Sequence, residues 1–242
     1  MIKFRKSADY YGLNRAFKKG ITILLMLAFF VNYAQEQEDL LGSWFIISGS
    51  NKISNKFSIP TLSILRHYKL ISNYEFAFFR TGLTYEVKKN FQTTIGVAYL
   101  DSEAYIGNEF GGHTKQIWVY EELVFKSKYK NALISNRIRL ESRWIDKVGE
   151  SFVNNRIRYR LQAKIPLNNT LYFKIFNEYF VNLKAPHFNQ NRFFIGLGHN
   201  VTRSVKVDIG YMKNTFKKSN FDRIQLAVYF KTDFRKKNNL NL

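Results

Sequence analysis

The chain contains no cysteine. That excludes a disulfide, a thiolate metal site, a cysteine nucleophile and a lipoprotein anchor. Proline occurs only three times and no Gly/Ser run breaks the chain, so nothing reads as an interdomain linker. Histidine is scarce too. His67, His113, His187 and His199 are scattered, and none has a partner at the close spacing a metal site uses. No glycine-rich phosphate loop, nucleophile elbow or zinc motif is present. Catalytic, cofactor and metal residues are therefore all expected to be none. The other shortage is of acid: 18 Asp and Glu stand against 38 Lys and Arg, a formal charge of +20. Such an excess raises a soluble basic β-protein that binds nucleic acid as one reading. Much of the charge, however, sits at strand spacing or in short turns rather than in one block, so no nucleic-acid partner is expected.

What the chain has instead is alternation, clearest over residues 132–165. Arg137, Arg139, Glu141 and Arg143 alternate with Ile138, Leu140, Ser142 and Trp144. A second run sets Arg156, Arg158, Arg160, Gln162 and Lys164 against Ile157, Tyr159, Leu161, Ala163 and Ile165. A period of two makes two strands with one apolar face and one guanidinium face. The pair is either a water-facing sheet on a soluble core or two staves of a membrane barrel with arginines in the lumen.

Two regularities favour the barrel. Tight turns at 88–90, 128–131, 168–170 and 202–204 alternate with longer connections at 101–114, 146–152, 184–190 and 213–221. Short periplasmic turns and longer outer loops are the pattern of outer-membrane barrels. The runs between them also exceed the usual soluble strand and match a tilted crossing. The last run, Arg223 to Phe234, puts Ile224, Leu226, Val228, Phe230 and Phe234 on one face. It ends on an aromatic, as an assembly signal for the barrel-assembly machinery would. The expectation is an all-β, antiparallel up-and-down transmembrane barrel of about ten strands, with twelve as the alternative, since bacterial barrels have even counts.

Boundaries follow. Basic residues Arg5, Lys6, Arg15, Lys18 and Lys19 precede the apolar run Ile21 to Val31, which ends near Ala34. That describes a signal peptide over residues 1–34, and the run is too short to span comfortably as a helix. Residues 35–56, with Trp44, are expected as a plug or lip, residues 57–234 as the barrel, and 235–242 as a basic periplasmic tail.

A family resemblance rests on Trp44 after Leu41-Gly42-Ser43, on Arg66 closing a strand, and on the runs 137–143 and 156–160. Asn191-Arg192-Phe193 before Gly196-Leu197-Gly198, and Gly210-Tyr211-Met212, add to it. Together they resemble domain-of-unknown-function family 2490, predicted outer-membrane barrels of Gram-negative bacteria. The resemblance implies an outer-membrane location with lipid as partner and supplies no catalytic residue.

Alternation places Arg80, Glu86, Glu122, Lys174, Lys206, Asp208 and Arg223 inward beside a central network of Arg137, Arg139, Glu141, Arg143, Arg156, Arg158, Arg160, Lys164, Glu178 and Arg192. A barrel of about ten strands is barely wider than one whose side chains fill it. The expectation is a narrow lumen of paired arginines and acids, structural or binding a small ligand. An anion-selective pore for anionic small solutes is the first alternative. A hydrolase at the outer rim, where His113 and His187 fall near Asp101, Glu103 and Glu109, is the second.

Overall fold

The computed structural model describes residues 40–106 and 109–235. The expected signal peptide, and the tail beyond Arg235, lie outside them. Among the described residues eleven strands follow one another. They are β1 (Gly42–Lys52), β2 (Phe57–His67), β3 (Tyr74–Lys88), β4 (Phe91–Ile106) and β5 (Glu109–Tyr129). Then come β6 (Ala132–Lys147), β7 (Glu150–Pro166) and β8 (Leu171–Asn182). The chain finishes with β9 (Phe188–Asn200), β10 (Val205–Thr215) and β11 (Asn220–Asp233). Each strand pairs antiparallel with the next, and β1 closes the ring by pairing parallel to β11, Gly42 opposite Arg223 and Lys52 opposite Asp233. Closure leaves no strand edge with unpaired backbone groups.

The all-β barrel is as expected, and its strand number is close to the expected ten. The eleventh stave is the Trp44 run. It is hydrogen-bonded on both sides, to β2 and to β11, and so is a wall strand rather than a plug or lip. An odd count has a topological consequence. β1 starts at the rim of the longer connections, whereas β11 ends at the rim of the tight turns, so the two chain ends of the barrel lie on opposite rims. The even count expected for bacterial barrels is not what forms here.

The longer connections also differ from expectation. The run 101–114, read as a glycine-containing loop, is mostly ladder: β4 continues to Ile106 and β5 begins at Glu109. Gly112, at φ 101°, takes a left-handed conformation inside that ladder, which glycine adopts at little steric cost. The connection at 146–152 likewise shrinks, because β6 runs to Lys147 and β7 starts at Glu150.

Burial follows the alternation. On the outer face Ile95 and Ile117 are 58% and 59% exposed, whereas Arg139 is 3% and Arg223 0% exposed. Apolar outside and ionic inside is the reverse of a water-soluble protein. Ile47, Leu65, Phe79, Val97, Leu123, Ile138 and Leu140 continue the outer apolar belt. Inward glycines make room for aromatic plates lying on the wall. A Cβ on Gly96 would stand 2.5 Å from the Tyr120 hydroxyl, and one on Gly198 would stand 2.2 Å from the Tyr172 ring.

Candidate functional site

The lumen is built from two sectors. β6 and β7 supply the guanidinium carpet, because Arg137, Arg139 and Arg143 share one face of β6 and Arg156, Arg158 and Arg160 share one face of β7. Cross-strand register sets Arg137 opposite Arg160, Arg139 opposite Arg158 and Glu141 opposite Arg156. Like charges directly opposite are unfavourable, and carboxylates relieve them. Glu141 accepts hydrogen bonds from Arg156 Nε at 2.9 Å, Arg156 Nη2 at 2.6 Å and Arg158 Nη1 at 2.6 Å. Glu178 on β8 accepts from Arg158 Nε and Nη2 at 3.0 and 2.8 Å, and from Arg137. Glu122 on β5 takes Arg139, with Arg80 and Arg137 each 3.6 Å away. One carboxylate thus bridges several guanidiniums in each case, a charge-assisted arrangement suited to Arg geometry.

Aromatic rings fill the gaps between these bridges. Arg158 lies 4.2 Å from the centroid of Phe180, and Arg156 and Arg192 lie over the same ring at 4.9 and 4.5 Å. Trp44 carries Arg66 and Arg192, each at 4.7 Å. Stacked, weakly hydrated guanidiniums tolerate such crowding better than ammonium groups would.

The other sector, β1 to β5, lines the lumen with apolar groups. Phe78, Ala98, Leu100 and Trp118 form one buried cluster, against which Leu62, Ile64 and Phe76 pack. A second cluster joins Trp44 of β1 to Phe176, Phe194 and Met212 of β8, β9 and β10. Between the two sectors lies a cavity of about 480 Å³. Its walls reach Tyr68, Ser102, Asn189 and Phe216 at the rim of the longer connections, and Lys174 and Tyr229 toward the other end. Beyond that floor Asp208 accepts from both Lys174 and Tyr172, and Lys174 also donates to the Tyr229 hydroxyl at 2.9 Å. The arginines of β6 and β7, with Arg66, Arg80, Arg192 and Lys174, outnumber the carboxylates: Glu75, Glu103 and Glu178 line this cavity, and Glu122 and Glu141 pair with the same arginines.

The structure brings nine of the ten residues of the expected network around this one space. Arg137, Arg139, Arg143, Arg156, Arg158, Arg160, Glu178 and Arg192 line the cavity, and Glu141 is buried behind them between Arg156 and Arg158. Lys164 sits apart, below the floor, 4.6 Å from the Tyr172 ring and 5.5 Å from that of Tyr229. Sequence reasoning missed Glu75. At that point β3 bulges: Arg66 stands opposite Phe76 and His67 opposite Tyr74, so Glu75 has no partner across the ladder. A bulge re-aims a side chain, and the Glu75 carboxylate turns inward to take Arg66 and, at 2.9 Å, Arg223. No sequence signal marks the bulge. The inward apolar wall was missed as well, since β1 and β2 are apolar on both faces and alternation there carries little information.

At the rim of the longer connections His113 stands 3.5 Å from Asp101 Oδ1 and 3.4 Å from Glu103 Oε1. His187 is elsewhere, its Nδ1 3.2 Å from the Asn182 carbonyl oxygen. The two rim histidines therefore do not share a site.

Fold and lumen define a class: a closed β-barrel with an apolar exterior and an ion-paired, partly hollow interior. Within that class the chain belongs to the family described as protein of unknown function DUF2490, whose profile spans residues 41–225. No curated protein matches it.

Proposed function

We propose that the protein is an outer-membrane β-barrel that binds a small anionic ligand in its lumen and does not conduct ions freely. The observation that carries the reading is the cavity of about 480 Å³, whose arginines outnumber its carboxylates and whose lining stops at Lys174 and Tyr229. That volume falls in the range of roughly 300–1,000 Å³ usual for small-ligand sites. The apolar exterior supports residence in lipid, and the basic leader with its short apolar run supports export by a cleaved signal peptide and assembly by the barrel machinery. An anion pore shares the same charge excess, because rings of Arg and Lys select anions. The Asp208–Lys174–Tyr229 contacts across the floor favour the closed reading over it.

Fractionation and conductance test this together. The protein is expected in outer-membrane fractions, with heat-modifiable gel migration and silent planar bilayers. Folded, monomeric protein recovered without detergent would end the membrane reading. A steady anion current that falls in Arg158→Glu would replace the binding site by a pore.

The odd strand count gives a second expected result. Since the chain has no native cysteine, single cysteines at Leu41 and at Arg235 can be labelled uniquely. An impermeant maleimide applied to whole cells should reach one of them and spare the other. Labelling of both from the same side would mean that β1 does not close the ring in parallel.

A further inference from the structure

The lumen holds more than a basic patch, and the distribution of its unsatisfied groups is informative. Arg160 forms no hydrogen bond and no ion pair among the described residues, and its Nε is buried without a partner. Directly across the ladder from it are Arg137, whose Nε also has no hydrogen-bond partner, and on the other side Glu178, whose carboxylate is taken by Arg137 and Arg158. Arg80, near the same level, leaves both Nε and Nη1 without one. Buried donors without acceptors are costly in any fold. Arg80 Nη1 and Arg137 Nε share the Glu122 carboxylate at 3.6 Å, and these buried atoms do not open on the cavity. The terminal nitrogens of Arg160, a residue on the cavity wall, make no hydrogen bond or ion pair among the described residues and are open to an oxyanion with several acceptor lone pairs.

Lining the same cavity, on the wall beside Arg80, are Ile46, Leu62, Ile64 and Phe78. Leu62 is the cross-strand neighbour of Arg80, so the apolar wall begins beside that guanidinium. From there Ile64 and Phe78, paired with each other, continue toward the rim where Tyr68 and Phe216 stand. A hydrated inorganic anion would leave that wall wet and unused. An apolar chain lying along it, with its charged end on Arg160, would use both sectors.

We infer that the lumen takes an anionic amphiphile: an oxyanion head, phosphate or carboxylate, seated on Arg160 beside Arg137 and Arg80, with a single short apolar chain along Leu62, Ile64 and Phe78. The inference rests on the anion-binding reading and narrows it to a ligand class. The ligand enters through the rim rather than sideways from the bilayer, because every strand is hydrogen-bonded to both neighbours.

Trp44 and Trp118 line the cavity and report on it by fluorescence, once the outward-facing Trp144, 48% exposed, is replaced by Phe. The full-length barrel in lipid nanodiscs is titrated with inorganic phosphate, with ethyl, butyl and hexyl phosphate, and with hexanol. Affinity is expected to rise about four-fold per added methylene, the factor that burying one CH₂ confers, with little response to hexanol. Arg160→Gln should weaken the binding of every phosphate while Arg160→Lys retains most of it. Ile64→Ser should flatten the chain-length series and leave inorganic phosphate unchanged, with heat-modifiable migration showing that each variant is folded. If phosphate binds and the series is flat, the amphiphile is wrong and anion binding stands. If neither phosphate nor any alkyl phosphate binds, both readings fall. If hexanol binds as tightly as hexyl phosphate, the guanidinium head site is wrong. If only nanodiscs containing diacyl phosphatidic acid give a signal, the oxyanion is a bilayer lipid at the outer wall and the lumenal site is overturned.

Discussion

Glu141→Gln is expected to destabilise the folded barrel by about 3–5 kcal/mol, the cost of removing one member of a buried charge network. Glu141 is 2% exposed and takes three hydrogen bonds from Arg156 and Arg158, with Arg139 Nη1 3.6 Å away. The neutral amide keeps the shape and loses the charge that holds three guanidiniums together. Arg156 and Arg158 then face each other with Glu178 as the nearest compensation, and Glu178 already serves Arg137. The readout is the urea midpoint, or the temperature at which the compact gel band converts to the unfolded one. A double variant with Arg158→Met should recover part of the loss, because one uncompensated cation has been removed with the anion. A midpoint within experimental scatter of the parent would mean that the network is not formed in the folded protein.

On the outside of the same strand, Ile138→Arg is expected to cost about 2–4 kcal/mol in a bilayer, since it puts a guanidinium against hydrocarbon, and Leu140→Arg less, since Glu121 stands directly opposite it. Both are outward and 41% and 44% exposed, opposite Leu123 and Glu121 on β5 and opposite Tyr159 and Ile157 on β7. In contrast, Arg139→Gln inside should act through Glu122, which loses its closest partner, rather than through lipid. Photolabels carried by lipid should accordingly reach cysteines at 138 and 140 and spare those at 137, 139 and 143. The opposite labelling pattern would invert the two faces of the strand.

How much of this was readable from the chain differs from strand to strand. Residues 137–143 and 156–160 declared their faces because every second side chain is ionic and the others are apolar. Period two then fixes the inside and outside of β6 and β7 whatever their neighbours do. The final strand, with Arg223, Gln225 and Tyr229 against Ile224, Leu226 and Val228, was legible for the same reason. Residues 42–52 were not. Trp44 and Ile46 face inward, and Phe45 and Ile47 face the other way. Both faces are apolar, so nothing local separates a lip from a stave. What makes β1 a stave is closure, with hydrogen bonds to β2 on one side and to β11, far along the chain, on the other. Glycines at 111 and 112 read as a loop, but β4 and β5 stay paired on both sides of them, Glu103 with His113 and Tyr105 with Phe110, and the ladder shifts register past the glycines instead of ending there.

The sequence by itself determined the β class, the outward apolar belt, and the identity of the arginines and acids that share the lumen. All of these follow from alternation, a property of each strand alone. Only the tertiary structure decided the odd count and the parallel seam, since these depend on which two distant strands meet when the sheet curls shut. It alone decided that Glu75 turns inward, because a bulge exists only relative to a partner strand. It also decided which guanidiniums are bridged and which are left over. Glu141 and Glu178 reach across strands, and Arg160, though opposite Glu178 on β8, is left without an ion pair because that carboxylate turns to Arg137 and Arg158, which no spacing along the chain encodes.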